Sequence, residues 1–138
     1  MQVFLPLRKE SRCWGDRKKD VLVPVFPGFA FVRSDRSVLH RLIVLQTPGV
    51  MGFASSASTV AAVPEKQIED LQLLVAEGIS FSPHRFVRVG KRMRVRGGNL
   101  DGVEGLFTGR EKKKLMVSID AIQRSLAIDI HDCQLEVI

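Results

Sequence analysis

The segment Pro24-Val-Phe-Pro-Gly-Phe-Ala-Phe-Val32 constrains the fold of this 138-residue chain more than any other stretch. Pro27 fixes its own φ, and Gly28 can take the positive φ that a tight turn needs, so the segment reads as a turn feeding a strand. In that strand Phe29 and Phe31 point one way, Ala30 and Val32 the other. A strand apolar on both faces is either buried between two layers or lends one face to a partner.

The surroundings fit a mixed fold. Val3-Phe4-Leu5-Pro6 opens a short strand. The polar run from Arg8 to Asp20, with Trp14-Gly-Asp-Arg-Lys-Lys19 inside it, predicts an exposed hairpin or loop. Val38, Leu39, Leu42, Ile43 and Leu45 suit a short helix leading into Thr47-Pro-Gly-Val-Met-Gly-Phe53. Phe53 begins a further short strand, and Ser55 to Thr59 make a polar loop. Pro64 starts the clearest helix, with Glu65, Glu69 and Asp70 complementing its dipole and Gly78 ending it. Its stripe of Ile68, Leu71, Leu74 and Val75 is a core face.

Residues 79–87, with Pro83, read as a connector, and beyond them the period changes to two. Met93 and Val95 alternate with Arg92, Arg94 and Arg96; Leu115, Val117 and Ile119 alternate with Met116, Ser118 and Asp120; Leu126, Ile128 and Ile130 alternate with Ala127 and Asp129. Short alternating strands with glycine-rich turns predict a small all-β barrel, with Glu111 and Lys112-Lys113-Lys114 at a hairpin tip.

Hydrophobic content of 45% against 26% charged residues places the chain among folded globular proteins. The net charge of +6 favours a polyanionic neighbour or a merely soluble basic surface. Residues 1–41 carry nine Lys/Arg against four Asp/Glu, 42–80 have Lys66 as their only base, and 81–138 carry eleven against seven. No apolar run is long enough to span a bilayer. Cys13 and Cys133 stand far apart with no CxxC, which fits a reducing cytoplasm and neither a zinc finger nor a disulfide scaffold.

The Pro24–Val32 segment and Thr47–Phe53 together resemble the N-terminal domain of the NusG family of transcription elongation factors, whose pattern runs P-L-F-P-G-Y-V-F-V and then T-P-G-V-x-G-F at the same spacing. Val89 to Gly105, with Gly98, Gly102 and Gly105 as turn glycines, resembles a KOW motif. The resemblance implies an α+β protein: a NusG N-terminal α/β sandwich over 1–80, then a five-stranded KOW β-barrel over 81–138. Two departures stand out. The KOW loop reads Gly98-Asn99-Leu100 where the family often has G-P-F, and the ending from Val117 to Ile130 resembles specialised paralogues of the RfaH and UpxY types. The family's opening W-Y-x-L strand and helix have no counterpart before Val3, so a truncated or late-called start is expected.

The resemblance implies a bacterial, cytoplasmic elongation or antitermination factor that binds RNA polymerase, through the clamp helices of the largest subunit and the gate loop of the other large subunit. Phe26, Phe29 and Phe31 would form the docking face, with core packing as the plain alternative for each ring. His40, Arg41 and Leu42 would fall at the gate-loop contact, and Asn99, Leu100 and Val103 at a loop that binds Rho or a ribosomal protein. The competing reading is a KOW-type RNA-binding or ribosome-associated module. There Arg92, Arg94 and Arg96, with Lys112, Lys113 and Lys114, would grip the phosphates of RNA or DNA.

Enzyme chemistry has little to stand on. His40, His84 and His131 are scattered away from metal-ligand spacing, and no nucleophile elbow, P-loop or GxGxxG is present. Asp129 and Asp132 beside His131 read as a solvated turn. No cofactor, metal or membrane partner is expected.

Overall fold

The turn after Val25 forms as its residues dictate. Phe29 N–H donates to Phe26 O at 3.0 Å, and Gly28 has φ +87° behind Pro27, the arrangement of a type II turn. The computed structural model describes residues 1–35, 37–56, 59–78, 81–109, 114–130 and 134–138, and it divides into two units, Met1–Ala61 and Ala62–Ile138.

In the first unit β1 (Gln2–Phe4) pairs antiparallel with β4 (Phe31–Arg33). The rings of Phe26 and Phe31 meet edge to face at 6.2 Å, and the Phe4 ring also lies 6.2 Å from that of Phe31. Such an edge-to-face pair adds roughly 0.5–1.5 kcal/mol beyond its buried area. Between these strands β2 (Leu7–Trp14) and β3 (Arg17–Pro24) form a two-stranded arm, ladder-paired from Leu7↔Pro24 to Trp14↔Arg17. Helix α1 (Val38–Gln46) starts at Ser37, whose Oγ accepts from His40 N–H at 3.2 Å. That cap contributes about 1 kcal/mol. The residues expected to form a polar loop instead give the short strands β5 (Ser55–Ser56) and β6 (Thr59–Val60).

The second unit begins with α2 (Glu65–Ala76), for which Pro64 is the N-cap and Gly78, at φ +61°, follows the C-cap. The unit's sheet is antiparallel, with β7 (Phe81–His84), β8 (Lys91–Arg96), β9 (Glu104–Phe107), β10 (Lys114–Ile119), β11 (Arg124–Asp129) and β12 (Gln134–Val137) in the spatial order β12-β8-β9-β10-β11-β7. Six strands stand where five were expected, because the connector supplies β7. Pro83 is tolerated there because β7 is an edge strand, where a missing N–H breaks no ladder. The resemblance places helix α2 at the end of the first domain. It lies in the second unit, where Leu74 is fully buried with Val95, Leu100, Val103, Leu115 and Ile128. Gly98 and Gly102 occupy positive-φ turns as expected, whereas Gly105 sits inside β9, where its missing Cβ lets β10 approach. Gln123, at φ 51° after a 3₁₀ turn, is the one positive-φ non-glycine among the described residues.

Candidate functional site

Helix α1 carries nine residues, of which only His40, Arg41 and Gln46 are polar, and none of the nine is buried. Val38 and Leu39 are 73% and 65% exposed, and Leu42, Ile43 and Leu45 nearly half. An amphipathic helix normally hides such a stripe, so an uncovered one is a candidate interaction surface. Asp35 fixes the start of the helix. Its Oδ1 accepts from Ser37 N–H at 2.8 Å and lies 2.9 Å from His40 Nδ1. The Ser37 backbone and side-chain hydrogen bonds, aided by the His40 charge, hold the Asp35 carboxyl below its usual value. His40 Nδ1 stands close to this carboxylate but is not aimed for a hydrogen bond. Arg41 is exposed on the same helix and has no ion-pair partner among the described residues.

The three phenylalanines separate. Phe26 and Phe31 are buried against each other, so their rings serve the unit's own packing. Phe29, at the turn, remains partly exposed.

In the second unit the three arginines of β8 share two carboxylates, and Arg92 remains exposed. Arg94 Nε and Nη2 reach Glu104 Oε1 at 3.1 and 2.8 Å, Arg92 Nη2 stands 3.7 Å from Glu104 Oε2, and Arg96 pairs with Glu136 across to β12. Lys114 pairs with Asp129 at 3.1 Å; Lys112 and Lys113 lie outside the described residues, as does His131. The loop after β8 also differs from expectation. Asn99 is exposed, but Leu100 and Val103 are inside the core. The cause is local: Gly98 and Gly102 turn the chain back, Gly102 N–H donates to Val95 O at 2.8 Å, and Val103 N–H to Leu100 O at 3.1 Å.

Sequence reasoning missed Lys66 and Asp70, which tie α2 to this loop. Asp70 is buried, pairs with Lys66 one turn earlier, and its Oδ2 accepts from Glu104 N–H at 3.2 Å. Lys66 Nζ also donates to Gly102 O at 2.6 Å. The i, i+4 spacing of opposite charges beside a leucine stripe was the available signal.

The Arg94 hydrogen bond, helped by the charges of Lys66, Arg94 and Arg92, holds the Glu104 carboxyl below its ordinary 4.5. A depressed carboxylate adds stability above its unfolded pKa and loses it as pH falls through the folded value. Acid should therefore destabilise the second unit below about pH 4.5. Arg94→Gln should raise the Glu104 pKa and flatten that acid slope in urea melts. An unchanged Glu104 titration by NMR in this variant would refute the coupling.

Among the described residues no three His, Cys, Asp or Glu side chains gather as a metal site, and no helix is long and apolar enough to cross a membrane. Residues 1–72 match the family model described as transcription termination factor nusG. The chain is 30% identical over 126 residues to the transcription termination/antitermination protein NusG of Lactococcus lactis, covering 87% of this chain and 66% of that protein. It is 23% identical to the protein of that name from Borreliella burgdorferi over 144 residues, covering 94% of this chain and 77% of the relative. For Halalkalibacterium halodurans the identity is 23% over 141 residues, with coverage of 98% and 79%. No solved structure matches.

Proposed function

Because the chain belongs to the NusG family, we propose that it is a transcription elongation or antitermination factor that acts by binding RNA polymerase rather than by chemistry. The observation that carries this reading is the uncovered apolar surface of α1, with Leu42 and Arg41 side by side on it. Helix α1 meets the gate loop and partly exposed Phe29 meets the clamp helices, with Phe26 and Phe31 holding the turn from beneath. The pairing of Arg94 with Glu104 and of Arg96 with Glu136 favours this reading over a KOW-type RNA-binding module, because phosphates would have to compete with those carboxylates. Rho and ribosomal proteins stay outside the reading, since Leu100 and Val103 are enclosed. The protein works in a bacterial cytoplasm, as a specialised paralogue of the RfaH and UpxY types.

Phe29→Ala should weaken association with RNA polymerase by about tenfold while the fold survives, as for an interface aromatic. Leu42→Ala should weaken it too. Nuclease-treated pull-downs across a salt series test this, because apolar docking is not screened whereas phosphate contacts release counterions. Parent-like binding by both folded variants, or a steep salt slope that Lys114→Gln flattens, would reverse the assignment.

A further inference from the structure

A cleft of about 690 Å³ opens in the second unit, bordered by α2, by the segment 86–88 and by the sheet face turned away from Val95 and Leu115. The ladder fixes its floor. Arg92 pairs with Leu106 and Leu106 with Met116, so these three side chains stand in one row across β8, β9 and β10 and share a face. Side chains alternate along a strand, so Met116, Ser118 and Asp120 follow one another on that face. Asp120 heads a 3₁₀ turn, and Gln123 N–H donates back to its carbonyl at 3.1 Å. Arg92 and Asp120 are thus two strands across and four residues along from each other, about 16 Å between Cα atoms. The segment 86–88 is tied down at Val87, whose N–H donates to Oγ of the buried Ser125 at 3.1 Å.

The charges lining this cleft do not all cancel. Lys66 pairs with Asp70, and Arg94, from outside the cleft, takes Glu104 at 2.8 Å. Arg88, Arg92 and Asp120 are left over. Arg92 stands 3.7 Å from the shared Glu104, with its side chain 70% exposed. The Arg88 guanidinium lies over the Phe86 ring at 5.5 Å; it is exposed, as is Asp120, and neither has an ion-pair partner among the described residues. Between the guanidiniums and the carboxylate runs the apolar floor of Leu106 and Met116.

A ligand that satisfies these groups has a strong anion at one end, a flat apolar middle and paired N–H donors at the other end. Two guanidiniums suit a diphosphate better than a single carboxylate. An ionised Asp only accepts hydrogen bonds, and guanine offers N1–H and N2–H₂ side by side, with O6 next to them for an amide N–H of Gln123. Adenine has no such pair of donors.

We propose that this cleft binds a guanine nucleoside diphosphate, with the phosphates on Arg88 and Arg92, the base edge on Asp120 and Gln123, and the ring and sugar over Leu106 and Met116. The site shares no residue with α1 and does not rest on the polymerase reading.

The test is calorimetric titration of the full chain with GDP, ADP, guanosine, pyrophosphate and a short oligo-rU. GDP should bind saturably, about tenfold or more tighter than ADP, and tighter than guanosine or pyrophosphate alone. Arg88→Gln should weaken GDP about tenfold and leave guanosine unchanged. Asp120→Asn should weaken GDP about tenfold, leave pyrophosphate unchanged and bring GDP and ADP within about twofold of each other. Both side chains are exposed, so both variants should melt within a few degrees of the parent. Arg96→Gln, outside the cleft, should bind GDP as the parent does. No saturable GDP binding, equal affinity of the parent for GDP and ADP, pyrophosphate or oligo-rU binding as tightly as GDP, or parent-like GDP affinity in both cleft variants would overturn the proposal.

Discussion

Gly105→Ala is expected to lower the melting temperature of the second unit by about 10–25 °C. A Cβ at position 105 would stand 2.5 Å from the Met116 carbonyl oxygen and 2.8 Å from Leu115 Cγ. The first of these is backbone in the neighbouring strand, so β9 and β10 must move apart where Met116 pairs with Leu106. Forced separation of packed strands costs about 3 kcal/mol or more, and for a unit of this size each kcal/mol moves the midpoint by roughly 4–8 °C. Gly102→Ala is the control. It has a positive φ of +93° but open space around it, so it should cost only about 1 kcal/mol. Melts followed by circular dichroism distinguish the two, and a Gly105→Ala midpoint within a few degrees of the parent would contradict the close approach.

Leu74→Ala should cost about 3 kcal/mol, because Leu74 is fully buried among the sheet residues and its removal leaves a cavity that only partly collapses. Leu42→Ala, on the other apolar helix, should change stability by less than about 0.5 kcal/mol, since that side chain is exposed. Urea denaturation of the two variants measures the contrast directly. Equal destabilisation would mean that the two leucines are buried alike.

Both leucines look alike in the sequence, which shows where its information stops. Features fixed within a few residues were legible: the Pro27–Gly28 turn, the short helix carrying Val38, Leu39 and Leu42, the helix between Pro64 and Gly78, and the alternation of Met93 and Val95 with arginines. Features that depend on a distant partner were not. Pro83 argued against a strand, and only its edge position beside Leu126 allows one. Leu100 read as an exposed loop tip, and only the turns at Gly98 and Gly102 send it inward. The β8 arginines read as free charge because Glu104 and Glu136 lie 10 and 40 positions from their partners. At the candidate site the helix and its apolar content were visible, but the burial of Phe26 and Phe31 with Phe29 left at the surface required knowing which rings meet.

The position of β12 has a consequence for synthesis. It pairs with β8, and Glu136 reaches Arg96 from 40 positions away. At roughly 5–20 residues per second, about 2–8 s separate the two on the ribosome. For that interval one edge of β8 has no neighbour, and a bare edge is where nascent chains pair with one another. Arg92, Arg94 and Arg96 alternate along that strand, so two growing chains would bring like charges together before backbone could meet backbone. The arginines that pair with Glu104 and Glu136 in the finished sheet thus act earlier, as guards of a strand whose partner has not yet been made.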